Sequence, residues 1–215
     1  GSSVCVVNRV GAGCIPGTDT VANAAPDGYT VLAVCDSFVS NPHVFRNAPY
    51  DVVKDFAPVS LMIRGPQLLV VHPGLGVRTF PDFLSLAKSR RPPLNFATAG
   101  AATSSRLSVE LFRKTAGLDA NLVPYKGGGP ALTDLLGGHV EAMIASAGLV
   151  PPRVQAGRLP ALAVTSEGRR APVPRVPPVC DFFPQFPRPS GGGVLAPARA
   201  PRAIVERLPA GPRPA

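Results

Sequence analysis

Tryptophan is absent from this chain, and aromatic residues make up only 6% of it. No apolar run approaches the roughly 20 residues that cross a bilayer, so no membrane span is expected. There is no GxSxG nucleophile elbow, no GxxxxGK[ST] phosphate loop and no GxGxxG fingerprint. The three histidines, His43, His72 and His139, are isolated in sequence, which leaves no nucleophile or acid–base pair to name. Cys5, Cys14, Cys35 and Cys180 have neither CxxC spacing nor a neighbouring His, excluding a zinc or redox motif. Cys5 and Cys35 lie in apolar, strand-like runs, where cysteine serves as an inert small hydrophobe. Asp134 and Glu141 flank a glycine break without further ligands at helical spacing, so no metal and no cofactor is expected.

What the sequence does contain is apolar bulk and punctuation. Hydrophobic residues make up 45% of 215, ample for a core of one domain or two small lobes. The 27 prolines and 22 glycines indicate many connections around a small-residue interior, as in α/β proteins rich in turns. A net charge of +9 invites nucleic acid as a partner, but its placement argues against one. Residues 1–150 carry 12 Lys and Arg against 10 acids, whereas residues 151–215 carry 10 Arg and three acids. The tail arginines (Arg169, Arg170, Arg175, Arg188, Arg199, Arg202, Arg207 and Arg213) are spread among prolines without regularly interleaved stacking aromatics. A solvated basic surface is expected, and no nucleic acid.

Taken in order, residues 4–7 read as a short strand and residues 8–13 as a glycine turn. A short helix around residues 19–25 stops at Pro26-Asp27-Gly28, and residues 29–35 read as a buried strand. Residues 36–42 read as a polar loop at its carboxyl end, the edge where open α/β sheets bind ligands. Ser37 and Asn41 are therefore site candidates, with turn bonding to the backbone as the alternative. Residues 56–63 and 68–72 are further apolar strands, and Thr79-x-x-Asp82 opens a helix over residues 79–88. Residues 121–125, 140–144 and 162–165 also read as strands. Pro130 opens a helix with Leu132, Leu135 and Leu136 inward and Gly137-Gly138 as its stop. Lys126-Gly127-Gly128-Gly129 reads as a flexible turn, because a phosphate loop places its lysine after the glycines. Strands alternating with helices of about ten residues predict parallel βαβ units.

The stretch 94–116, LNFATAGAATSSRLSVELFRKTA, organises the rest. A strand ends at Thr98, Ala99-Gly100-Ala101-Ala102 makes a turn with little side-chain bulk, and Thr103, Ser104 and Ser105 fall where a helix is capped. Leu107, Leu111 and Thr115, with Ser108, Phe112 and Ala116 beside them, predict the buried face of that helix. A helix start leaves amide groups beyond the reach of its own carbonyls, and these with the dipole favour a carboxylate or phosphate.

Several further fragments occur in a telling order. Asn8-Arg9-x-Gly11-Ala12-Gly13, Ala25-Pro26-Asp27-Gly28-Tyr29-Thr30, Asn41-Pro42, Pro49-Tyr50-Asp51, Lys54-Asp55-Phe56-Ala57-Pro58-Val59, Val123-Pro124-Tyr125-Lys126-Gly127, Pro130-Ala131-Leu132-Thr133-Asp134-Leu135-Leu136-Gly137-Gly138 and Gly157-Arg158-Leu159-x-Ala161-Leu162-Ala163-Val164-Thr165 follow one another along the chain. Together they resemble the Bug family, the extracytoplasmic solute-binding receptors of tripartite tricarboxylate transporters. The resemblance covers about residues 3–208 and is weakest over residues 172–193. It implies an α/β, type II periplasmic binding protein-like fold, with two α/β lobes, a ligand cleft between them and the first lobe incomplete. Lobe 1 would hold residues 1–68 with 193–215, and lobe 2 residues 69–192. The implied ligand is a small carboxylate-bearing solute, the implied partners are the membrane components of such a transporter, and a periplasmic monomer is expected. Thr98, Ala101, Thr103 and Ser104 match the family's small-polar carboxylate-binding stretch. Binding would then use neutral donors and bridging water, with lobe closure completing the contacts.

The departures from the family pattern carry their own expectations. The strand, Pro-Gly-Gly loop and helix that usually precede the position of Val4 are missing, as is the usual closing helical region, so the chain reads as truncated at both ends. A missing first strand would expose edges prone to wrong pairing. Cys14 stands where glycine is usual, and Ala145 where a ligand-contacting aspartate is frequent. Pro151-Pro152 falls in a segment normally helical, where proline costs about 3 kcal/mol in the interior. The alternatives to a receptor are a degenerate family member without ligand binding and an α/β enzyme acting on small acids.

Overall fold

The computed structural model describes residues 3–9, 11–166, 176–186 and 190–208. The readings placed on Arg169, Arg170, Arg175, Arg188, Arg213 and residues 209–215 lie outside these. In chain order the described elements are α1 (Ile15–Ala22), β1 (Leu32–Cys35), α2 (Ser37–Val44), β2 (Phe56–Gly65), β3 (Gln67–Val71), α3 (Phe80–Ser89), β4 (Leu94–Thr98), α4 (Ser104–Ala116), β5 (Ala120–Pro124), α5 (Gly128–Gly137), β6 (Ala142–Ser146), α6 (Pro151–Gln155), β7 (Ala161–Val164), β8 (Ser190–Pro197) and α7 (Arg202–Arg207). They fall into two units, residues 64–190 and residues 1–63 with 191–215. The sequence reading placed those divisions at 68/69 and 192/193.

The larger unit is built on a five-stranded sheet of order β5-β4-β6-β3-β7. Strand β4 pairs in parallel with β5 and β6, whereas β3 is antiparallel to both β6 and β7. The expectation of parallel βαβ units therefore holds for β4, β5 and β6 and is corrected for β3 and β7. Alternate residues of the strands feed two cores. Leu94 and Phe96 of β4 join Phe80 and Phe83 of α3 and Val109 and Phe112 of α4, while Ala97 joins Leu132 and Leu135 of α5 on the other face. Phe80, Phe83, Phe96 and Phe112 are fully buried, with neighbouring ring centroids 5.9–6.5 Å apart. Helix α3 begins as its sequence predicts: the Thr79 hydroxyl accepts from the Asp82 amide at 3.2 Å. Helix α5 starts at Gly128, two residues ahead of Pro130, so the glycine run is a helix start and not a flexible turn. A β-carbon on Gly128 would lie 2.8 Å from Leu149 Cδ2.

Two expectations fail in this unit for identifiable reasons. The buried face of α4 is Ser105, Val109, Phe112 and Ala116, and Leu107 is 46% exposed. A serine can occupy the buried stripe because its hydroxyl donates to Ile144 O at 2.8 Å. Pro151 and Pro152 do not break α6; they occupy its first turn, where the missing amides would have had no intrahelical acceptor.

The smaller unit carries a three-stranded sheet of order β1-β8-β2, with β1 antiparallel to β8. Its core is Val21, Leu32, Phe38, Tyr50 and Phe56, the Phe38 and Tyr50 rings being stacked at 5.7 Å. Residues 4–7 form no strand, the first helix is Ile15–Ala22, and only residues 32–35 of the expected strand 29–35 are paired. Tyr29 is 92% exposed. Cys5 and Cys35, expected as small hydrophobes in strands, are exposed, as is Cys14. The predicted polar loop 36–42 is helix α2 despite Pro42. Proline removes the amide that would bond to Phe38 O, and the Tyr50 hydroxyl, donating to that oxygen at 3.1 Å, replaces it.

Candidate functional site

Strand order places a switch point in the larger unit. The chain leaves β4 through α4 to reach β5 on one side, then returns through α5 to β6 on the other, with α4 and α5 on opposite faces of the sheet. Where connections diverge in this way, the carboxyl ends of the strands frame a crevice suited to a ligand. The turn 99–103 and the start of α4 lie at that edge. So do the beginning of β3, where Gln67 is opposite Ser146, and Thr165 at the end of β7, whose amide donates to Gln67 O at 2.9 Å.

Local sequence explains the shape of this edge. The small residues Ala99, Gly100 and Ala101 let the backbone turn at once, with Gly100 at φ 142°. Thr103 caps α4: its hydroxyl donates to Gly100 O at 2.8 Å and accepts from the Arg106 amide at 3.5 Å. The neighbouring β5–α5 connection is fastened alongside, Tyr125 N donating to Thr98 O at 2.9 Å and Gly127 N to Ala99 O at 3.1 Å. The Tyr125 hydroxyl donates to Asp134 Oδ2 at 2.7 Å, and this bond pushes the phenol up to about 12.

The structure brings four of the six predicted site residues together. Ala101 is exposed in the turn, Thr103 and Ser104 are half-buried at the helix start, and Thr98 is fully buried at the end of β4. The Thr98 hydroxyl finds no hydrogen-bond partner among the described residues. A buried hydroxyl in that condition is costly to leave unmet, and this one ends the strand that leads directly into the turn.

Sequence reasoning missed Gln67, Ser108 and Thr165. Gln67 is 3% exposed; its Nε2 donates to Ser104 Oγ at 2.9 Å and its Oε1 accepts from the Ser108 hydroxyl. Thr165 Oγ1 accepts from the Gln67 amide at 2.9 Å. The available signal was a lone amide side chain at the head of the apolar run QLLVV. Gln67, Ser104, Ser108 and Thr165 at this edge are uncharged, whereas the Arg90–Glu141 ion pair, 3.2 Å long, lies at the amino ends of β4 and β6, where Glu141 Oε2 also accepts from the Asn95 amide. An anion here would be held by neutral donors and the α4 dipole.

Ser37 and Asn41 belong to the other unit, in the first turns of α2. Ser37 is 6% exposed and its carbonyl accepts from the Ser40 hydroxyl at 3.4 Å. Asn41 is fully buried and donates to Gly13 O at 2.7 Å and to the Tyr50 hydroxyl at 3.0 Å. Ala145 is buried in the α5-side core.

Comparison with known proteins places these features in context. The model of the family described as "Tripartite tricarboxylate transporter family receptor" matches residues 1–215. Protein BugT of Bordetella pertussis is 36% identical over 209 residues, covering 95% of this chain and 64% of BugT. A solved R. palustris protein with adipate is 33% identical, with a TM-score of 0.89 over 94% of this chain and 68% of that one. MatC from Rhodopseudomonas palustris with bound malate is 31% identical, with a TM-score of 0.83 over 93% of this chain and 69% of that one. The chain spans 62–64% of the length of two curated relatives it matches.

Proposed function

The chain belongs to the tripartite tricarboxylate transporter receptor family, and from that premise we propose that it captures a small carboxylate-bearing solute in the periplasm for a transporter of that type. The observation that carries this reading is the carboxyl edge of β4, where the start of α4, capped by Thr103 and opened by Ser104, follows the unmatched Thr98 hydroxyl. A carboxylate is acceptor-only and suits such a set of neutral donors. Thr98 is the proposed hydroxyl donor, the backbone amides at the start of α4 around Thr103 and Ser104 act beside it, and exposed Ala101 leaves the approach open. Ser37 and Asn41 lie in the smaller unit, where the Asn41 side chain is bonded to Gly13 O and to Tyr50. The solute is bound and released unchanged by a monomer, and the membrane components of the transporter are its partners.

The acids carried by the two solved relatives, adipate and malate, nominate aliphatic dicarboxylates as first ligands. Thermal unfolding with adipate, malate, succinate, citrate, glutamate and benzoate tests the reading. A dicarboxylate at about a hundred times its Kd should stabilise the protein by about 2.7 kcal/mol and raise its transition accordingly. A second reading, a family member that no longer binds, draws on the exposure of Leu61, Met62 and Ile63 at 58–66% in the smaller unit. A transition unmoved by every acid would establish that second reading and overturn the first.

A further inference from the structure

We propose that Thr165 is a second hydroxyl donor to the solute, binding the far carboxylate of a dicarboxylate; this rests on the receptor reading above. The residue stands in a polar row across one face of the larger unit's sheet. Gln67 is level with Ser146 in the β3–β6 register and Leu68 with Val164 in the β3–β7 register, so Thr165 comes level with Gln67. Two positions further into each strand, Ile144, Leu69 and Ala163 pack into the core under α3 and α4, whereas Ala145, Leu68 and Val164 pack into the α5 core. Alternation along a strand therefore turns Ser146, Gln67 and Thr165 to the α4 face. The Gln67 side chain agrees, since it meets two residues of α4.

Bond direction separates the three. The Gln67 amide group is spent on α4, its nitrogen donating and its oxygen accepting. Ser146 is exposed, and its hydroxyl accepts from the Gly148 amide at 3.2 Å, so water can serve its proton. Thr165 differs. Its oxygen accepts from the Gln67 backbone amide at 2.9 Å, which leaves the hydroxyl proton to donate, and that proton meets no acceptor among the described residues although Thr165 is only 7% exposed. An acceptor brought from outside would complete it, and a carboxylate oxygen is one. Strand order decides which carboxylate. Strands β6 and β3 stand between β4 and β7, which puts Thr165 three strand spacings, roughly 14 Å, from the line of Thr98. One carboxylate group cannot meet both hydroxyls, but an extended six-carbon dicarboxylate bridges such a gap with a hydrogen bond at each end. Thr98 and the start of α4 therefore take one end of the solute and Thr165 the other. Strands β3, β6 and β7 carry no ionisable residue, so the far end is read by hydrogen-bond direction and not by a counter-charge on the row.

The test compares adipate with hexanoate, which has one carboxylate on the same length of chain, by calorimetry in the wild type, Thr165→Val, Thr165→Ala, Thr165→Ser and Thr98→Val, each first checked for folding by circular dichroism. Thr165→Val should bind adipate about three- to tenfold more weakly and stay within about twofold of the wild type on hexanoate. Thr165→Ala should repeat that pattern and supplies it if the valine variant does not fold. Thr165→Ser, which keeps the hydroxyl, should recover most of the loss. Thr98→Val should weaken both acids alike. A variant that had merely lost its hold on the Gln67 amide would weaken both acids together, so equal losses on adipate and hexanoate at Thr165 would overturn the assignment. So would adipate affinity within about twofold of the wild type in both Thr165→Val and Thr165→Ala. A wild type that binds neither acid would overturn the assignment, and one that also failed to respond to every acid in the thermal series would overturn the receptor reading with it.

Discussion

The two units bury their sheets in different ways. Residues 64–190 cover a five-stranded sheet on both faces, with α3 and α4 on one and α5 on the other, and four phenylalanines are sealed in one layer. Among the described residues, the core cluster of the smaller unit is Val21, Leu32, Phe38, Tyr50 and Phe56, and Tyr29, Val31, Leu61, Met62 and Ile63 are 42–92% exposed. Stability should therefore be concentrated in the larger unit, which also carries the polar edge proposed to hold the solute. A rigid layer beneath that edge keeps its hydroxyls in place. The smaller unit relies instead on polar stitches: Asn41 to Gly13 and Tyr50, and Tyr50 to the carbonyl that Pro42 leaves unpaired.

The largest expected effect tests where stability resides. Phe112 is fully buried and touches rings from α3 and β4, so Phe112→Ala should lower the unfolding free energy by about 3–5 kcal/mol in urea titration. Leu61→Ser, at a residue 66% exposed, should stay within about 0.5 kcal/mol. Equal losses would break the comparison. Next comes the site. Replacing Thr103 and Ser104 together by alanine should weaken acid binding by about 1–3 kcal/mol in calorimetry, and unchanged affinity would remove both from the site. A smaller effect, of opposite sign, belongs to the smaller unit. Cys14 has φ 71° and ψ 11°, the only positive φ outside glycine among the described residues. A side chain is strained there, so Cys14→Gly should raise stability by about 0.5–1 kcal/mol after allowing for the freer unfolded chain.

How much of this was legible in the sequence depended on the range of the interactions. The β4 end, the small-residue turn and the Thr103 cap are local, and each stands where its residues predict. The buried stripe of α4 was displaced because Ser105 looks polar until Ile144 O is seen to accept its proton, 39 positions away. Helix α2 was hidden because Asn41-Pro42 has the local chemistry of a turn, while the hydroxyl that rescues the helix comes from Tyr50. Gln67 could not be assigned from its neighbours, since its side-chain partners lie 37 and 41 positions along the chain. The β3 pairings were missed because alternation of strands and helices says nothing about a strand whose neighbours in the sheet come much later.

The smallest effect sharpens the comparison most finely, because each unit contains one tyrosine that staples a connection and the two are perturbed differently. Tyr125 donates to Asp134 Oδ2 at 2.7 Å, and this bond, ahead of burial, pushes its phenol up to about 12. The neutral phenol is the bonded form, and its folded pKa lies above the unfolded value of about 10. The stability contributed by the staple is therefore complete below about pH 10 and is lost as the pH rises through about 12. Tyr50 is also raised, but chiefly by burial, and the Asn41 amide that donates to its oxygen acts in the opposite direction by favouring the phenolate. Opposite shifts follow in an ultraviolet tyrosinate titration. Asp134→Asn should bring the Tyr125 transition down toward about 10, whereas Asn41→Ala should push the Tyr50 transition further up, with Tyr125→Phe and Tyr50→Phe identifying each signal. Shifts of the same sign would mean that the two staples share one cause. The difference drawn between a unit fastened by a charged acceptor and one fastened by buried neutral groups would then fall.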